Sequence, residues 1–531
     1  MVQIGARVLF VWTLTILIIN GVVYWSSCTW QSPVYRNSQT IRRLQTQKKT
    51  HDSKFTELQK FVKLLEWPEP PNPTSFMSST SPNTTEVTLL DPHTTYHVGE
   101  RVKVFIRARD HYGHPKTYGG DYFQAKLHSL ELKAGVTGSI TDHRNGSYTA
   151  TFLLPWPGIC QISISLLHSS EAMAILKKER DNHNFQVYYY GFFYHNGQIA
   201  KAICNIRSPG QDVCTYLDSG TGEEWFCVRP KGFPCSSYLE HAAGNRSAHF
   251  SSTEQELLHS SVTNQMLVSE KQNLTVLGQK NITDDKGICR PGLPNPDPSG
   301  YYYQDKWHSR VCRNRNFPTP NNIASCLKGK VVYMFGDSTL RQWWEYLVNF
   351  VPSLQKVDLH VNYAPGPLLA TDSEYGYLLQ WRAHQRPLTM NRTRLQELRY
   401  IANELDHIGG EKDGLVVVIN CLAHFVLFPT SFYIKRIMGI RNAVIRLLER
   451  SPQTKVIIKS GNTGFLPPIG SDWLSWQLDT LMRDVFAELP VTIVDAWQMT
   501  SCHYLPKNIH PSRIIVQNMV DLMLSFICPM S

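Results

Sequence analysis

Residues 331–335 form an apolar run that ends in Gly336-Asp337-Ser338, and residues 339–350 continue with the spacing of an amphipathic helix. A short apolar run followed at once by a helix is typical of a buried strand in a parallel sheet. Ser338 therefore lies where a strand ends and a helix begins, a position from which a hydroxyl can be presented to a substrate. The tripeptide alone is common by chance and also fits a turn with a helix N-cap. Its flanking strand and helix favour the active-site interpretation.

The same alternation runs through residues 301–531. Apolar runs lie at 331–335, 415–420, 456–458 and 491–494, and helical patterns lie at 339–350, 431–449, 472–488 and 513–526. Strands that alternate with helices predict an α/β doubly wound sheet of parallel strands. Functional groups are then expected at the carboxyl ends of the strands.

Polar side chains follow each of the four predicted strands. They are Asp337 and Ser338, Asn420 and His424, Asn462, and Asp495, with His503 and His510 further along the chain. Acyl transfer requires a nucleophile, a base and donors aimed at the developing oxyanion. Ser338 is the predicted nucleophile and His510 the predicted base, with His503 as its rival. The oxyanion donors are predicted among Asn420, His424 and Asn462, beside the backbone N–H of Ser338, and Asp337 is predicted to be a further substrate-binding group. The two asparagines fit equally well as strand-end turn residues.

The N-terminal residues 1–28 contain an uncharged stretch, Val8–Trp25. This stretch is longer than a signal-peptide core of about 7–15 residues and shorter than a spanning helix of about 20. It predicts either a signal peptide or a signal anchor. Residues 29–87 follow as a basic stalk and Pro-rich linker. The formal net charge of the chain is +10, and this segment has a local cluster of cations at Arg36, Arg42, Arg43, Lys48, Lys49 and Lys54. Because the positive charge is local, a solvated stalk is favoured over a nucleic-acid-binding surface.

Glycosylation signals and cysteines indicate the compartment. Asn-x-Ser/Thr sequons occur at Asn83, Asn145, Asn245, Asn273, Asn281 and Asn391, and the chain has 12 cysteines. Asparagine glycosylation takes place in the secretory pathway, and disulfides persist in oxidising compartments. The bulk of the chain is therefore predicted to be lumenal or extracellular.

Residues 88–180 alternate apolar and polar positions, as at 102–108, 148–154 and 162–166. This period of two predicts a β-sandwich. Residues 181–300 show little periodicity and are predicted to be a glycosylated connecting region held by disulfides. No Cys-x₂-Cys pair is present in this region, so no metal site is predicted.

Two resemblances add to this interpretation. The run Val98–Val102, the turn at 119–121 and the segment Asn145–Ala150 resemble filamin-type immunoglobulin-like repeats. The block around Ser338, the preceding stretch with Trp307, Cys312 and Cys326, and the blocks at 495–500 and 509–511 resemble the neurexophilin and PC-esterase domain (NXPE) family over nearly the whole chain.

The family resemblance implies a fold and an activity. PC-esterase domains belong to the wider SGNH/GDSL-hydrolase-like group, whose members attach or remove acyl groups, usually acetyl, on secreted and cell-surface glycans. The resemblance implies Ser338 as nucleophile and His510 as base. Relatives commonly have an aspartate three residues before this histidine, where the chain has Lys507. Either Asp495 or another carboxylate takes the place of this acid, or the histidine works unassisted, or activity is lost, and Asp495 is the named candidate. Lys507 is expected to oppose the imidazolium by like-charge repulsion.

The expected function is a glycan O-acetyltransferase or esterase of the secretory pathway, either anchored in the Golgi lumen as a type II protein or secreted. For the transferase, the resemblance implies acetyl-CoA as donor and a sugar hydroxyl, such as that of sialic acid, as acceptor. The alternative is a catalytically impaired, secreted glycoprotein that binds a cell-surface protein receptor. A purely structural adhesion module is the third and least favoured hypothesis.

The topology is open to a direct test. Because six sequons follow the apolar N-terminal stretch, treatment of the protein from mammalian cells with an N-glycosidase should increase its electrophoretic mobility. The same protein from cells treated with a glycosylation inhibitor is the control and should not change. Identical mobility with and without the enzyme would contradict a lumenal location.

Overall fold

The computed structural model describes residues 59–71, 75–183, 187–244, 250–267, 273–278, 286–388, 390–410, 413–464 and 471–529. The stretch Val8–Trp25, most of the predicted stalk and the sequons Asn245 and Asn281 lie outside these residues. The chain divides into two units, Met1–Glu66 and Trp67–Ser531. In the first unit, residues 59–64 are helical. Within the described ranges, no helix is long and apolar enough to cross a membrane.

The second unit contains the strands and helices that are named below. The strands are β1 Glu86–Leu90, β2 Tyr96–His97, β3 Arg101–Arg107, β4 Tyr122–Ser129, β5 Ala134–Asp142, β6 Ser147–Leu153, β7 Gly158–His168, β8 Tyr189–His195, β9 Gln198–Asn205, β10 Val213–Leu217, β11 Glu224–Val228, β12 Tyr238–Ala243, β13 Gln265–Met266, β14 Asn273–Leu277, β15 Gly300–Tyr303, β16 Lys306–Ser309, β17 Val331–Gly336, β18 Gln355–Val357, β19 Leu368–Asp372, β20 Tyr377–Ala383, β21 Thr393–Arg394, β22 Leu415–Ile419, β23 Lys455–Lys459 and β24 Thr492–Val494. The α-helices are α1 Ser170–Lys178, α2 Ser252–Leu257, α3 Pro320–Leu327, α4 Ser338–Phe350, α5 Ile401–His407, α6 Thr430–Arg450, α7 Asp472–Phe486, α8 Ala496–Ser501 and α9 Arg513–Ile527.

The predicted β-sandwich is present as two antiparallel layers that share β5. One layer contains β1, β3, β6 and the second half of β5, and the other contains the first half of β5 with β4, β7 and β14. The strand passes between layers at Gly138, where a Cβ would lie 2.4 Å from the ring of Phe152. Alternate side chains from both layers form a shared core. The sandwich also receives β15, which pairs with β5, so it extends beyond the segment 88–180.

Residues 181–300 are more regular than the sequence predicts. A second antiparallel sheet has the order β10-β11-β9-β8-β12-β21 and takes most of its strands from this region. The disulfide Cys204–Cys227 joins directly paired residues of β9 and β11, and Cys214–Cys235 lies beside it. These cystines belong to a small buried cluster that forms the core of this sheet. Long runs of alternating apolar and polar residues, from which strands are predicted, are therefore missing from this region.

The C-terminal sheet has the order β18-β19-β20-β17-β22-β23-β24. The five strands from β20 to β24 in this order are parallel, which confirms the four parallel strands predicted from their apolar runs. The chain leaves β17 first toward β20 and later toward β22. Helix α4 packs on β17, β20 and α9, whereas α5, α6 and α7 pack on one another. Because crossovers between parallel strands are right-handed, the helices in these two groups lie on opposite faces of the sheet. The carboxyl end of β17 is therefore the point where the strand order reverses.

The sandwich packs directly on the C-terminal sheet domain. His168 of β7 contacts the hydroxyl of Ser471 at 2.7 Å, and Thr137 of β5 donates to Gln498 at 2.9 Å. At Gly135 a Cβ would lie 2.1 Å from the carbonyl oxygen of Cys502, so only glycine allows this approach. The loop that follows α8 is therefore held against the sandwich.

Asp521, on the buried face of α9, should make stability depend on pH. Burial raises the pKa of its carboxyl from 3.8 to about 7, although the backbone N–H of Phe317 donates to it. The folded protein therefore keeps this proton to a higher pH than the unfolded chain does, and the associated stability is lost as pH rises from about 4 to 7.

Asp521→Asn keeps an acceptor oxygen and is neutral at every pH. Its free energy of unfolding at pH 8 should exceed that of the wild type by about 4 kcal/mol, and the difference should fall to about 1 kcal/mol at pH 4.5. Urea titrations at both pH values measure this, with the exposed Asp358→Asn as control. An Asp521→Asn variant that is less stable at pH 8 would contradict the raised pKa.

Candidate active site

Ser338 and His510 meet at the carboxyl end of β17. Ser338 is the first residue of α4, and its Oγ lies 2.8 Å from Nε2 of His510. His510 lies in the loop between α8 and α9, where its own backbone N–H donates to Asn508 at 2.9 Å. The serine hydroxyl is thus positioned to transfer its proton to the imidazole. Because Ser338 is the first residue of the helix, its backbone N–H has no acceptor within the helix. This N–H can therefore donate to an oxyanion that forms during acyl transfer.

Asp337 fixes the turn that presents Ser338. Its carboxylate is 1% exposed and accepts hydrogen bonds from the N–H and hydroxyl of Thr339 and from the N–H of Ala423. Burial alone would raise its pKa, but the nearby Lys459 ammonium and His424 hold the pKa below the usual value. The sequence placed Asp337 among the substrate-binding groups. Its burial and its acceptor contacts instead make it a positioning residue.

Lys459, at the end of β23, lies below the neighbouring strand ends. It is fully buried, and its Nζ donates to Thr339 at 3.1 Å and to Oδ1 of Asn462 at 2.9 Å. Burial lowers its pKa to about 8. The amide nitrogen of Asn462 donates in turn to the carbonyl of Ile509 at 2.8 Å. Asn462 therefore connects this cluster to the loop that carries His510.

The other two predicted oxyanion donors have partners of their own. The amide nitrogen of Asn420 donates to the carbonyl of Lys459 at 3.1 Å, which fits the alternative of a strand-end structural residue. Gly336 is required beside it, because a Cβ there would lie 2.5 Å from the carbonyl oxygen of Asn420. Nδ1 of His424 lies 3.1 Å from Nε2 of His384.

His384 fixes the tautomer of His424. Its Nδ1 lies 2.6 Å from the carbonyl of Gln385 and must carry a proton, while burial lowers its pKa to about 3 and keeps the ring neutral. Its Nε2 therefore accepts from Nδ1–H of His424. A neutral His424 then has no proton on Nε2, so it can serve as an oxyanion donor only as an imidazolium.

Asp495 does not face His510. Its carboxylate pairs with Arg483 at 2.7 Å and caps α8 through the N–H of Gln498. Arg483 also pairs with Asp479, so Asp495 belongs to a buried charge cluster. Within the described part of the chain, no carboxylate forms an ion pair or hydrogen bond with the imidazole of His510. The Ser338–His510 pair is therefore a dyad among these residues.

His503 and Lys507 face elsewhere. His503 is buried against Tyr302, with its Nε2 3.9 Å from Asp305, and burial lowers its pKa to about 4. The ammonium of Lys507 donates to Gln124 of the sandwich. Burial lowers the pKa of His510, with Asp337 and Glu345 acting against this and Arg341 and Lys459 adding to it. These four groups exert the largest charge effects on His510. The ammonium of Lys507 contacts the sandwich, so its repulsion of the imidazolium stays a prediction.

Sequence reasoning missed three residues of this cluster: His384, Thr339 and Lys459. His384 follows β20, a parallel strand that the apolar pattern did not indicate, so no strand end was expected there. Thr339 is next to the predicted nucleophile, and its polar side chain at the helix start was the available signal. Lys459 ends a predicted strand, and a lysine continuing an apolar run is the kind of buried charge that requires partners.

Two family models match the chain. One, described as NXPE family member 4-like, C-terminal domain, matches residues 307–528, and the other, Neurexophilin, matches residues 51–248. The chain belongs to the NXPE family, as its motifs predicted.

Similar solved structures add no argument about function. The Escherichia coli adhesin FdeC matches at 14% identity over 38% of this chain and 66% of that chain, with a TM-score of 0.14. A family two carbohydrate esterase from Clostridium thermocellum, an active-site mutant in complex with an oligosaccharide, matches at 10% identity over 84% of this chain and 95% of that chain, with a TM-score of 0.22. Both TM-scores are too low to indicate a common fold.

The lowered pKa of His510 predicts how reactivity at Ser338 depends on pH. A base acts when it is deprotonated, so reactivity should remain full at neutral pH and fall only as pH drops through a pKa below 6.5. The rate of covalent labelling by a fluorophosphonate, measured from pH 4 to 9, gives this profile without knowledge of the substrate. His510→Gln should remove the low-pH transition. A wild-type midpoint above 6.5 would contradict the assigned environment of His510.

Proposed function

We propose that the chain is a serine-dependent O-acyl (acetyl) transferase or esterase of the SGNH/GDSL-hydrolase-like type that acts on glycans. The observation that carries this proposal is the 2.8 Å contact between Ser338 Oγ and His510 Nε2. It lies at the switch point of a parallel sheet, where such folds place their ligands. The proposal is also consistent with membership of the NXPE family.

The reaction would proceed in two balanced halves. As Ser338 Oγ attacks the acyl carbonyl carbon, its proton moves to Nε2 of His510, and the negative charge that forms on the carbonyl oxygen faces the N–H of Ser338. The bond to the leaving group then breaks, and the leaving group takes the proton from His510. In the second half, a sugar hydroxyl or water gives its proton to His510 and attacks the acyl carbon. The bond between this carbon and Ser338 Oγ then breaks, and His510 returns the proton to Oγ.

The acyl donor and acceptor follow from the family. With acetyl-CoA as donor, the first bond broken is a thioester, and with an acetylated glycan it is an ester. A sugar hydroxyl as acceptor makes the protein a transferase, with sialic acid as one acceptor, whereas water makes it an esterase. No acid orients His510 among the described residues, so the imidazolium formed in each half is stabilised chiefly by the Asp337 and Glu345 charges.

The compartment is consistent with this chemistry. Four disulfides are formed, and the sequons Asn83, Asn145, Asn273 and Asn391 are exposed. These features and the neurexophilin-like half indicate a secretory-pathway protein. We place it in the Golgi lumen or outside the cell, where glycans are built and displayed.

One observation favours a second function. Among the described residues, His510 has no carboxylate partner, and such a base is typical of a catalytically impaired enzyme. The protein would then act as a secreted ligand for a cell-surface receptor. Retained binding to a receptor by a variant without the Ser338 hydroxyl, together with a lack of turnover in the wild type, would support this alternative.

Ser338→Ala tests the enzymatic proposal. The purified variant should lose at least about 1,000-fold in acetyl transfer or release, because no nucleophile remains. It should still be secreted, since only one half-exposed hydroxyl is removed. Acetyl-CoA with a sialylated glycan panel, and acetylated sialosides in water, measure the two activities. Ser373→Ala, an exposed serine in a turn, is the matched control, and turnover by Ser338→Ala equal to that of the control would rule out Ser338.

A further inference from the structure

A cleft of about 500 Å³ lies between the sandwich and the C-terminal sheet domain. Strands β4, β5 and β7 form one wall, and helices α7 and α8 form the other. Lys507 closes one side. Neither Ser338 nor His510 is among the described residues that line it. The volume is that of a small-molecule site, and the boundary between two domains is where such sites are common.

Aromatic rings form part of the lining. Trp67 packs edge-to-face against Trp476 with 5.4 Å between ring centroids and against Tyr122 with 6.2 Å. The indole N–H of Trp67 donates to the carbonyl of Gly120 at 2.8 Å, which fixes its ring. Trp476, and Trp497 on α8, are half-buried. Such rings offer a flat apolar face together with a polar edge, which suits the face of a sugar ring.

Two lysines line the same cleft. Nζ of Lys126 donates to the carbonyl of His503 at 2.8 Å, and Nζ of Lys507 donates to the side-chain oxygen of Gln124. Burial, together with the charge of Lys507, lowers the pKa of Lys126 to about 8. Burial also lowers the pKa of Lys507, and Asp472 opposes this effect. Each ammonium has three N–H donors, and each donates to one acceptor among the described residues.

The carboxylates of the cleft do not neutralise these lysines. Asp121 accepts from Thr80, Tyr148 and Ser170, and Asp142 accepts from the N–H groups of Gly120 and Arg144. Asp297 accepts from Gln498. Within the described ranges, neither Lys126 nor Lys507 forms an ion pair. Asp472 provides a partial counter-charge to Lys507, but neither ammonium is paired with a carboxylate of the described residues. Two neighbouring cations in this situation are unfavourable in a partly buried site, and a bound anion would offset this cost.

We propose that this cleft binds an acidic saccharide, with the anionic group of the sugar at the ammonium groups of Lys126 and Lys507 and a sugar ring against Trp476. The inference rests on the proposed function, for which it names the substrate class. Lys507 and His510 are three residues apart in one loop, so their Cα atoms are at most about 11 Å apart. The cleft and the Ser338–His510 pair are thus connected through one loop, and a glycan longer than one sugar is the ligand to test.

Binding to the glycosylated protein is measured by calorimetry with 3′-sialyllactose, lactose 3′-sulfate, the methyl ester of 3′-sialyllactose, and lactose. At least one of the two acidic ligands should bind at least about 10-fold more tightly than lactose. Tighter binding of 3′-sialyllactose indicates a carboxylate site, and tighter binding of lactose 3′-sulfate indicates a sulfate site. If it is the carboxylate ligand, its methyl ester should bind as weakly as lactose. Equal affinities for acidic and neutral ligands, or no binding of either acidic ligand, would overturn the proposal without any variant having to fold.

Lys507→Met and Trp476→Ala locate the site. Lys507→Met should weaken binding of the acidic ligand at least about 10-fold, because it removes one ammonium group from the cleft. Circular dichroism checks that the variant is folded. The exposed Lys356→Met is the matched control and should bind as the wild type does. Unchanged affinity in both Lys507→Met and Trp476→Ala would overturn the proposal.

Ser338→Ala separates this inference from the enzymatic one. That variant lacks the nucleophile but keeps the cleft, so it should bind the acidic ligand with wild-type affinity. Binding by Ser338→Ala together with a wild type that transfers no acyl group would leave the cleft proposal standing and remove the proposed function. Turnover on glycans without any binding in the cleft would support the proposed function and overturn the cleft proposal.

Discussion

The buried carboxylate of Asp337 is the contact on which the candidate site depends. It caps α4, holds Thr339 by two hydrogen bonds and accepts from the backbone at Ala423, beyond the end of β22. Lys459, at the end of β23, donates to Thr339 and holds the pKa of Asp337 low. Three adjacent strand ends are thus connected by one pair of buried charges. Such a pair persists only when its hydrogen bonds are made, and this requirement fixes the orientation of Ser338.

The loop after α8 connects this site to the rest of the molecule. Asn462 holds the loop at Ile509, and the sandwich holds it at Cys502 and through Lys507. His510 therefore has a fixed position without an acid in contact with it among the described residues. The packing of the sandwich against the sheet also explains the lysine at position 507. The side chain contacts Gln124 of the sandwich, a contact that the shorter side chain of an aspartate would lose.

Some elements could be predicted from local pattern and others could not. The strand β22 is buried along its whole length, so its continuous apolar run was sufficient. The strand β8 has apolar or aromatic residues on both faces. The strand β20 does alternate, with Tyr377, Leu379, Trp381 and Ala383 buried, but this pattern differs from the continuous apolar runs by which the parallel strands were predicted. Their place in a sheet depends on partners far away in the chain. Missing β20 also meant missing His384, because a strand-end residue is recognised only when the strand is.

The sequence by itself determined the secretory signals, the four parallel strands, the position of Ser338 at a strand-to-helix turn and the family. These properties depend on residues close together in the chain. Only the tertiary structure decided that Ser338 meets His510, 172 residues away, and that Asp495 is already paired with Arg483. The direction of a long side chain such as Lys507 is set by what packs around it. Charge pairing and burial are properties of the assembled domains, so the cleft and its two lysines could be recognised only after the domains were seen together.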